Sequence, residues 1–202
     1  MIEFRFHGRG GEGVKTLAFW LAETAIMQGL QAQAFPQYGP ERSGAPVTAF
    51  VRIDDKPITI HSPVLNPDVV VVVNPQLIFH KATLQGVKQE THLIANTRLT
   101  PEEIASKNIF QGCTCCLDAT SKALELLKKP LTNAAMLAAI IEFVKVLDPD
   151  IAKRVVFEKL AAKYGEQVAN NNVALMDWAL QNLKCVCKHE QPVWRFNTSI
   201  NE

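Results

Sequence analysis

No stretch of this chain reaches the roughly 18–20 consecutive apolar residues of a membrane-spanning helix. The longest β-branched run, residues 69–73, stops at Asn74-Pro75 and is only strand-length. Neither sign of charge is in excess: 21 Lys+Arg stand against 20 Asp+Glu, a formal net charge of +1. That balance gives no global pull toward nucleic acid or an anionic membrane. The 202 residues hold five cysteines. An odd number in a chain this long does not suggest a disulfide framework. Residues 1–7 show no basic stretch leading into an apolar run, so no secretory leader is expected. Together these absences predict a cytoplasmic chain with reduced thiols, no nucleic-acid partner and no membrane association.

What is present describes a packed core: 48% of residues are hydrophobic and 20% charged, a globular composition. Residues 2–7 alternate as a strand, and residues 14–28 form a helix closed by Gly29. That helix is apolar nearly all round, with Phe19, Trp20 and Met27 opposite Leu17 and Leu21. Such a helix is usually covered on both sides. Further strands are expected at 31–35, ended by Pro36, and at 47–53, 68–73 and 91–95. The run at 68–73 has the pattern of a parallel strand buried on both faces. Thr100-Pro101-Glu102-Glu103 fits a capping box. Helical signals dominate residues 119–184, and an irregular tail covers 185–202. The chain 1–202 thus reads as a single α/β domain: Rossmann-like, with a mostly parallel sheet flanked by helices and a helical C-terminal third.

Gly8-Arg9-Gly10-Gly11-Glu12-Gly13 lies between the first strand and the first helix. There glycines permit a tight turn and close approach of backbone N–H groups to a phosphate. A purely structural strand-to-helix turn would use the same residues. Two tighter readings fail. A nicotinamide site wants an acid after the second strand, but the chain offers Gln33, Ala34, Phe35, Pro36 and Gln37 there. A P-loop wants Lys-Ser/Thr directly after its last glycine, but Val14 intervenes before Lys15-Thr16.

The glycine segment joined to Ala34-Phe35-Pro36-Gln37-Tyr38-Gly39-Pro40-Glu41-Arg42-Ser43-Gly44-Ala45-Pro46-Val47 is far more specific than either part. The combination resembles the gamma subunit of pyruvate and related 2-oxoacid:ferredoxin oxidoreductases. The likeness continues through residues 52–58, 66–73 and 132–137 and so covers most of 1–183. Gly-Pro-Glu-Arg followed by Gly-Ala-Pro is more similar to the pyruvate-type branch than to the 2-oxoglutarate or indolepyruvate branches.

The resemblance implies a non-catalytic subunit that helps bind coenzyme A while a 2-oxoacid is converted to acyl-CoA and CO2. It also implies alpha, beta and delta partner subunits, with ferredoxin or flavodoxin as acceptor. Thiamine diphosphate, Mg and 4Fe-4S clusters would reside in those partners. The matching coenzyme A positions are Gly8, Arg9, Gly10, Gly11 and Gly13 of the first loop, Arg42 and Ser43 of the second, and Asn133. Phosphates suit such positions, because guanidinium groups and helix N-termini recognise them. Arg42 could instead pair with Glu41 or Glu12, and Asn133 could be only a helix cap. Two positions depart from the family's pattern: Glu12 stands where relatives often have Gln, and Asn74 where they often have an acid. Glu12 puts a carboxylate beside the loop, unless it turns away to Lys15 or a partner subunit. A regulatory module binding a nucleotide or acyl-CoA without turnover shares these ligand residues, and a stand-alone dinucleotide enzyme is disfavoured by the missing acid.

Cys113-Thr114-Cys115-Cys116 and Cys185-Val186-Cys187 lack the spacing of zinc or ferredoxin sites, so the thiols are expected to be small buried hydrophobes. No His arrangement suggests a nucleophile and base, and only His7, beside the loop, stands out. No catalytic and no metal-ligating residue is assigned. Trp194 and Phe196 either fold back on the domain or dock on a partner.

Overall fold

The computed structural model describes residues 1–37, 44–190 and 192–196, and its centre is a seven-stranded sheet. In spatial order the strands are β2 (Gln31–Gln37), β3 (Pro46–Asp54), β1 (Ile2–Arg9), β4 (Val69–Val72), β5 (His92–Asn96), β6 (Cys113–Leu117) and β7 (Lys184–Cys187). The middle four, β1-β4-β5-β6, run parallel. Both edges turn antiparallel: β3 pairs with β1, β2 with β3, and β7 with β6. The expected parallel core is therefore present, with an N-terminal hairpin and a C-terminal strand added at its sides. Every residue of β4 is fully buried, as its unbroken valines require for a strand covered on both faces.

Two corrections to the sequence reading concern edges. Pro36 was expected to end the second strand, yet β2 continues to Gln37. It can do so because β2 is an edge strand, where a missing N–H breaks no ladder bond. The tail expected to be irregular from 185 instead contributes β7. Four residues with half-exposed side chains give little period to read.

The two faces of the sheet are covered unequally. One carries α1 (Val14–Met27), α4 (Ala119–Leu127), α5 (Asn133–Val144), α6 (Pro149–Tyr164) and α7 (Glu166–Asn182) over the larger core. The other carries a 3-10 turn (Pro75–Leu77), α2 (Lys81–Leu84) and α3 (Pro101–Ala105) over a smaller one. β1 divides accordingly: Phe4 and Phe6 enter the core beneath α1, so the alternating Arg5 and His7 belong to the opposite face. In α5 every residue but Asn133 and Glu142 is buried, because the helix touches β5 on one side and α7 on another. Such a helix cannot slide without opening cavities costing about 2–5 kcal/mol per large side chain. Its N-terminus is thereby fixed. α1 packs on the sheet and also against α5 and α6, with Trp20 buried, while Phe19, Ile26 and Met27 stay exposed. The capping box is formed, with Thr100 Oγ1 accepting from Glu103 N–H at 3.2 Å and Glu103 Oε2 accepting from Thr100 N–H at 2.7 Å.

The cysteine reading is overturned. Cys113 is disulfide-bonded to Cys187 and Cys115 to Cys185, and only the buried Cys116 is free. Spacing along the sequence hid this, since the partners lie 74 and 70 residues apart. They meet because β7 pairs with β6 in a register that sets each cysteine opposite another. The bonds hold the tail to the sheet, and beyond them it folds back rather than outward. Trp194 packs edge-on against His92 and Phe143, with ring centroids 5.7 Å away in each case.

Two buried histidines make stability depend on pH. His7 Nε2 accepts from Arg5 Nε–H at 3.1 Å, and His92 Nδ1 accepts from Cys113 N–H at 2.8 Å. Burial, with the nearby charges of Arg5 and His80, lowers His7 to about 3, and burial lowers His92 to about 4. Below about pH 6.5 the unfolded chain takes protons that the folded chain refuses. Stability therefore falls as pH drops from 6.5 toward 4. Urea unfolding at pH 7.5 and pH 5 is expected to show a loss of about 2 kcal/mol per histidine, with a smaller loss in His92→Asn. Mass-tag alkylation of the denatured, unreduced chain is expected to label one thiol, and five after reduction. Reduction should also lower the unfolding free energy by about 2–4 kcal/mol.

Candidate functional site

In an open α/β sheet, ligands bind beyond the carboxyl ends of the strands where the chain's winding direction reverses. Here that point lies between β1 and β4. From β1 the chain returns through α1 to the β2-β3 side, whereas β4 begins the run toward β7. The glycine loop follows β1, and Asn74 and Gln76 follow β4. Sequence and topology thus point to the same crevice.

The loop's glycines are needed for two physical reasons. A side chain at Gly8 would run into Val14 and approach Glu12 Oε2 to 3.1 Å. Gly13 has φ +78°, and a Cβ there would lie 3.1 Å from Asn133 Nδ2. The second contact matters most, because it joins the N-terminus of α1 to that of α5. Both helices end at one place with first-turn N–H groups that have no acceptor inside the helix. Their dipoles add to a positive potential there. Asn133 is not a cap: Thr132 holds the N-cap position of α5. The Asn133 amide therefore remains available beside Gly13.

Arg9 adds a full charge. Its side chain donates to Gly44 O at 3.0 Å and to Gln76 Oε1 at 3.1 Å. Both acceptors are neutral, so the guanidinium is positioned without being neutralised among the described residues. Gly10 N–H donates to Ala45 O at 2.9 Å and ties the loop to the start of β3. Of the residues expected in the site, Gly8 to Gly13 and Asn133 come together. Arg42 and Ser43 lie outside the described residues.

Glu12 turns inward. Its Oε2 accepts from Arg9 N–H at 2.6 Å and its Oε1 from Asn74 Nδ2 at 2.5 Å. Asn74 Oδ1 in turn accepts from Gln76 N–H at 3.0 Å. The carboxylate staples the glycine loop to the end of β4, across the crevice floor. The two positions that the resemblance marks as departures are thus joined in one contact. A carboxylate at 12 with an amide at 74 makes the same contact as an amide at 12 with a carboxylate at 74, with the charge moved across the bond. Sequence separation of 62 residues concealed the pairing. Among the described residues no group of three or more His, Cys, Asp or Glu is placed to hold a metal ion.

Glu12→Gln is expected to cost about 1.5–3 kcal/mol of stability, the range for hydrogen bonds to a charged group. Adding Asn74→Asp should recover most of it. A double-mutant cycle in urea checks this, and additive losses would refute the pairing.

Comparison with known proteins agrees with this architecture. Residues 3–182 match the family model described as pyruvate ferredoxin/flavodoxin oxidoreductase. The common gamma subunit of the pyruvate/ketoisovalerate oxidoreductases of Thermococcus litoralis is 42% identical over 170 residues, spanning 84% of this chain and 92% of that one. The pyruvate synthase subunit PorC of Thermotoga maritima is 36% identical over 184 residues, spanning 91% and 95%. The crystal structure of that organism's PorC superposes with a TM-score of 0.80 at 34% identity, covering 91% of this chain and 97% of that one. A 2-oxoglutarate:ferredoxin oxidoreductase of Magnetococcus marinus shares the fold at 21% identity and TM-score 0.71, over 88% of this chain and 30% of its own. With seven strands, a crevice at the expected reversal and these relatives, the chain belongs to the pyruvate ferredoxin/flavodoxin oxidoreductase family as a gamma-type subunit.

Proposed function

We propose that this chain helps hold coenzyme A for a pyruvate-type 2-oxoacid:ferredoxin oxidoreductase, with the crevice between β1 and β4 receiving the coenzyme's phosphates. The observation that carries this is the meeting of two helix N-termini at Gly13 and Asn133, beside an arginine whose acceptors are neutral. Directed N–H groups and a guanidinium that meets only neutral acceptors among the described residues suit a pyrophosphate or a 3′-phosphate. Glu12 fits this arrangement because its carboxylate is already bonded to Arg9 N–H and Asn74 and shapes the floor. Arg42 and Ser43, which the family resemblance assigns to the coenzyme, belong to the same proposal.

In this reading the chain binds and orients, and the covalent chemistry belongs elsewhere. Thiamine diphosphate, Mg and the 4Fe-4S clusters sit in alpha, beta and delta partner subunits, which pass electrons to ferredoxin or flavodoxin. The coenzyme must reach from this crevice toward the partner that carries the acyl group, so the site is partial and the isolated chain is without turnover. Pyruvate is favoured over 2-oxoglutarate by the segment around Arg42 and by the names of the relatives at 36–42% identity.

The test is steady-state kinetics of the anaerobically purified complex with pyruvate and, in parallel, 2-oxoglutarate. Arg9→Ala and Arg42→Ala are each expected to raise KM for coenzyme A roughly tenfold or more, the worth of a charge-assisted hydrogen bond. CO2 release in the first half-turnover should be spared. Unchanged KM in both variants would remove the phosphate site from this crevice.

A further inference from the structure

All five cysteines lie on β6 or β7, and four of them join the two strands twice, at Cys113–Cys187 and Cys115–Cys185. Neither bond is needed to make the core. The chain buries two hydrophobic clusters over its sheet, and a domain of this size folds without cross-links. What the bonds tie down is small: an edge strand of four residues and the tail behind it.

The non-covalent hold on that segment is weak. β7 pairs with β6 over four residues, and so short an edge strand gains few ladder bonds against the entropy of ordering it. Beyond the strand, Lys188 Nζ donates to Asn108 Oδ1 at 2.7 Å and Gln111 Oε1 at 2.9 Å, both on the surface. Trp194 then rests edge-on against His92 and Phe143. The two halves of each disulfide also differ in access. Cys113 and Cys115 are buried, whereas Cys185 is exposed and Cys187 half-buried. The β7 pair lies between Lys184 and Lys188, and thiols flanked by cations form thiolates readily once freed.

We propose that the paired disulfides are a reversible redox clasp, closed by oxidation to hold β7 and the Trp194 tail on the sheet and opened by reduction to free them. Opening takes two electrons and two protons per bond from a dithiol reductant, which leaves as a disulfide. Closing is the reverse exchange with a disulfide oxidant. A β7 thiolate attacks it and forms a mixed disulfide, and the β6 thiol then displaces the oxidant's second thiol. Both bonds must be cut before β7 can leave, so a single stray exchange does not open the clasp. Opening bares the edge of β6 and the surfaces of His92 and Phe143 against which Trp194 packs, and it leaves the larger core in place. The clasp lies apart from the crevice between β1 and β4 and stands whether or not coenzyme A binds there.

The test is amide hydrogen exchange on the full chain, in the disulfide form and after dithiothreitol, with alkylation counting the thiols. On reduction, the amides of residues 184–187 and 193–196 should exchange at least about tenfold faster, while β4 and α5 keep their protection. Replacing the reductant with glutathione disulfide should restore the protection and the original two pairs, read by peptide mapping. Cys185→Ala/Cys187→Ala should show the open pattern without reductant. Trp194→Ala, with both bonds intact, should leave residues 184–187 protected. Unchanged exchange in the reduced tail overturns the proposal, because non-covalent contacts alone then hold it. Exchange that rises through β4 and α5 as well overturns it too, since the bonds are then staples of the whole fold. Re-oxidation into other pairings, with Cys116 drawn in, has the same consequence.

Discussion

Two helices can end at one point only if nothing stands between them, and at Gly13 nothing does. The contact of its backbone with Asn133 sets the distance between the N-termini of α1 and α5, and the rest of the crevice follows from it. α5 is immobilised by burial on nearly all sides, so α1 must come to it. The glycine loop is the hinge that allows this approach, and Glu12 then locks the loop to the end of β4 through Asn74. A β-carbon at Gly13 would push on the Asn133 amide and on backbone held at positive φ together. The site's electrostatics are therefore a consequence of packing: the core positions α5, and the glycine positions α1 against it.

Much of this was legible in the sequence because it is local. Alternation in residues 2–7, glycines directly afterward and an apolar period from Val14 can be read within a few residues of one another. The buried valines of β4 and the capping box at Thr100 are equally short-range. The tight turn at Gly8 to Gly13 also followed from the sequence, whereas the candidacy of Asn133 came from the family resemblance. What could not be read there depends on register and on distance along the chain. The Glu12–Asn74 bond spans 62 residues, and the Arg5 guanidinium joins β1 to carbonyls 60 to 80 residues away. No periodicity in the sequence encodes either.

The cysteines show the same limit most sharply. An odd count and the absence of metal-type spacing are correct observations, yet neither bears on which residues β7 sets opposite β6. Four cysteines at alternate positions on two strands pair once those strands are antiparallel neighbours. A strand of four residues at the edge of the sheet carries too weak a pattern to announce itself. Its placement was needed before Trp194 could be assigned to the fold rather than to a partner surface.

The most direct measurement of the central claim is amide hydrogen exchange on the anaerobically purified complex, with and without coenzyme A. Protection that appears on coenzyme addition at residues 10–16 and 133–137 together is what two helix N-termini sharing one phosphate group require. Protection confined to other regions, with both of these segments unchanged at saturating coenzyme, would contradict the account.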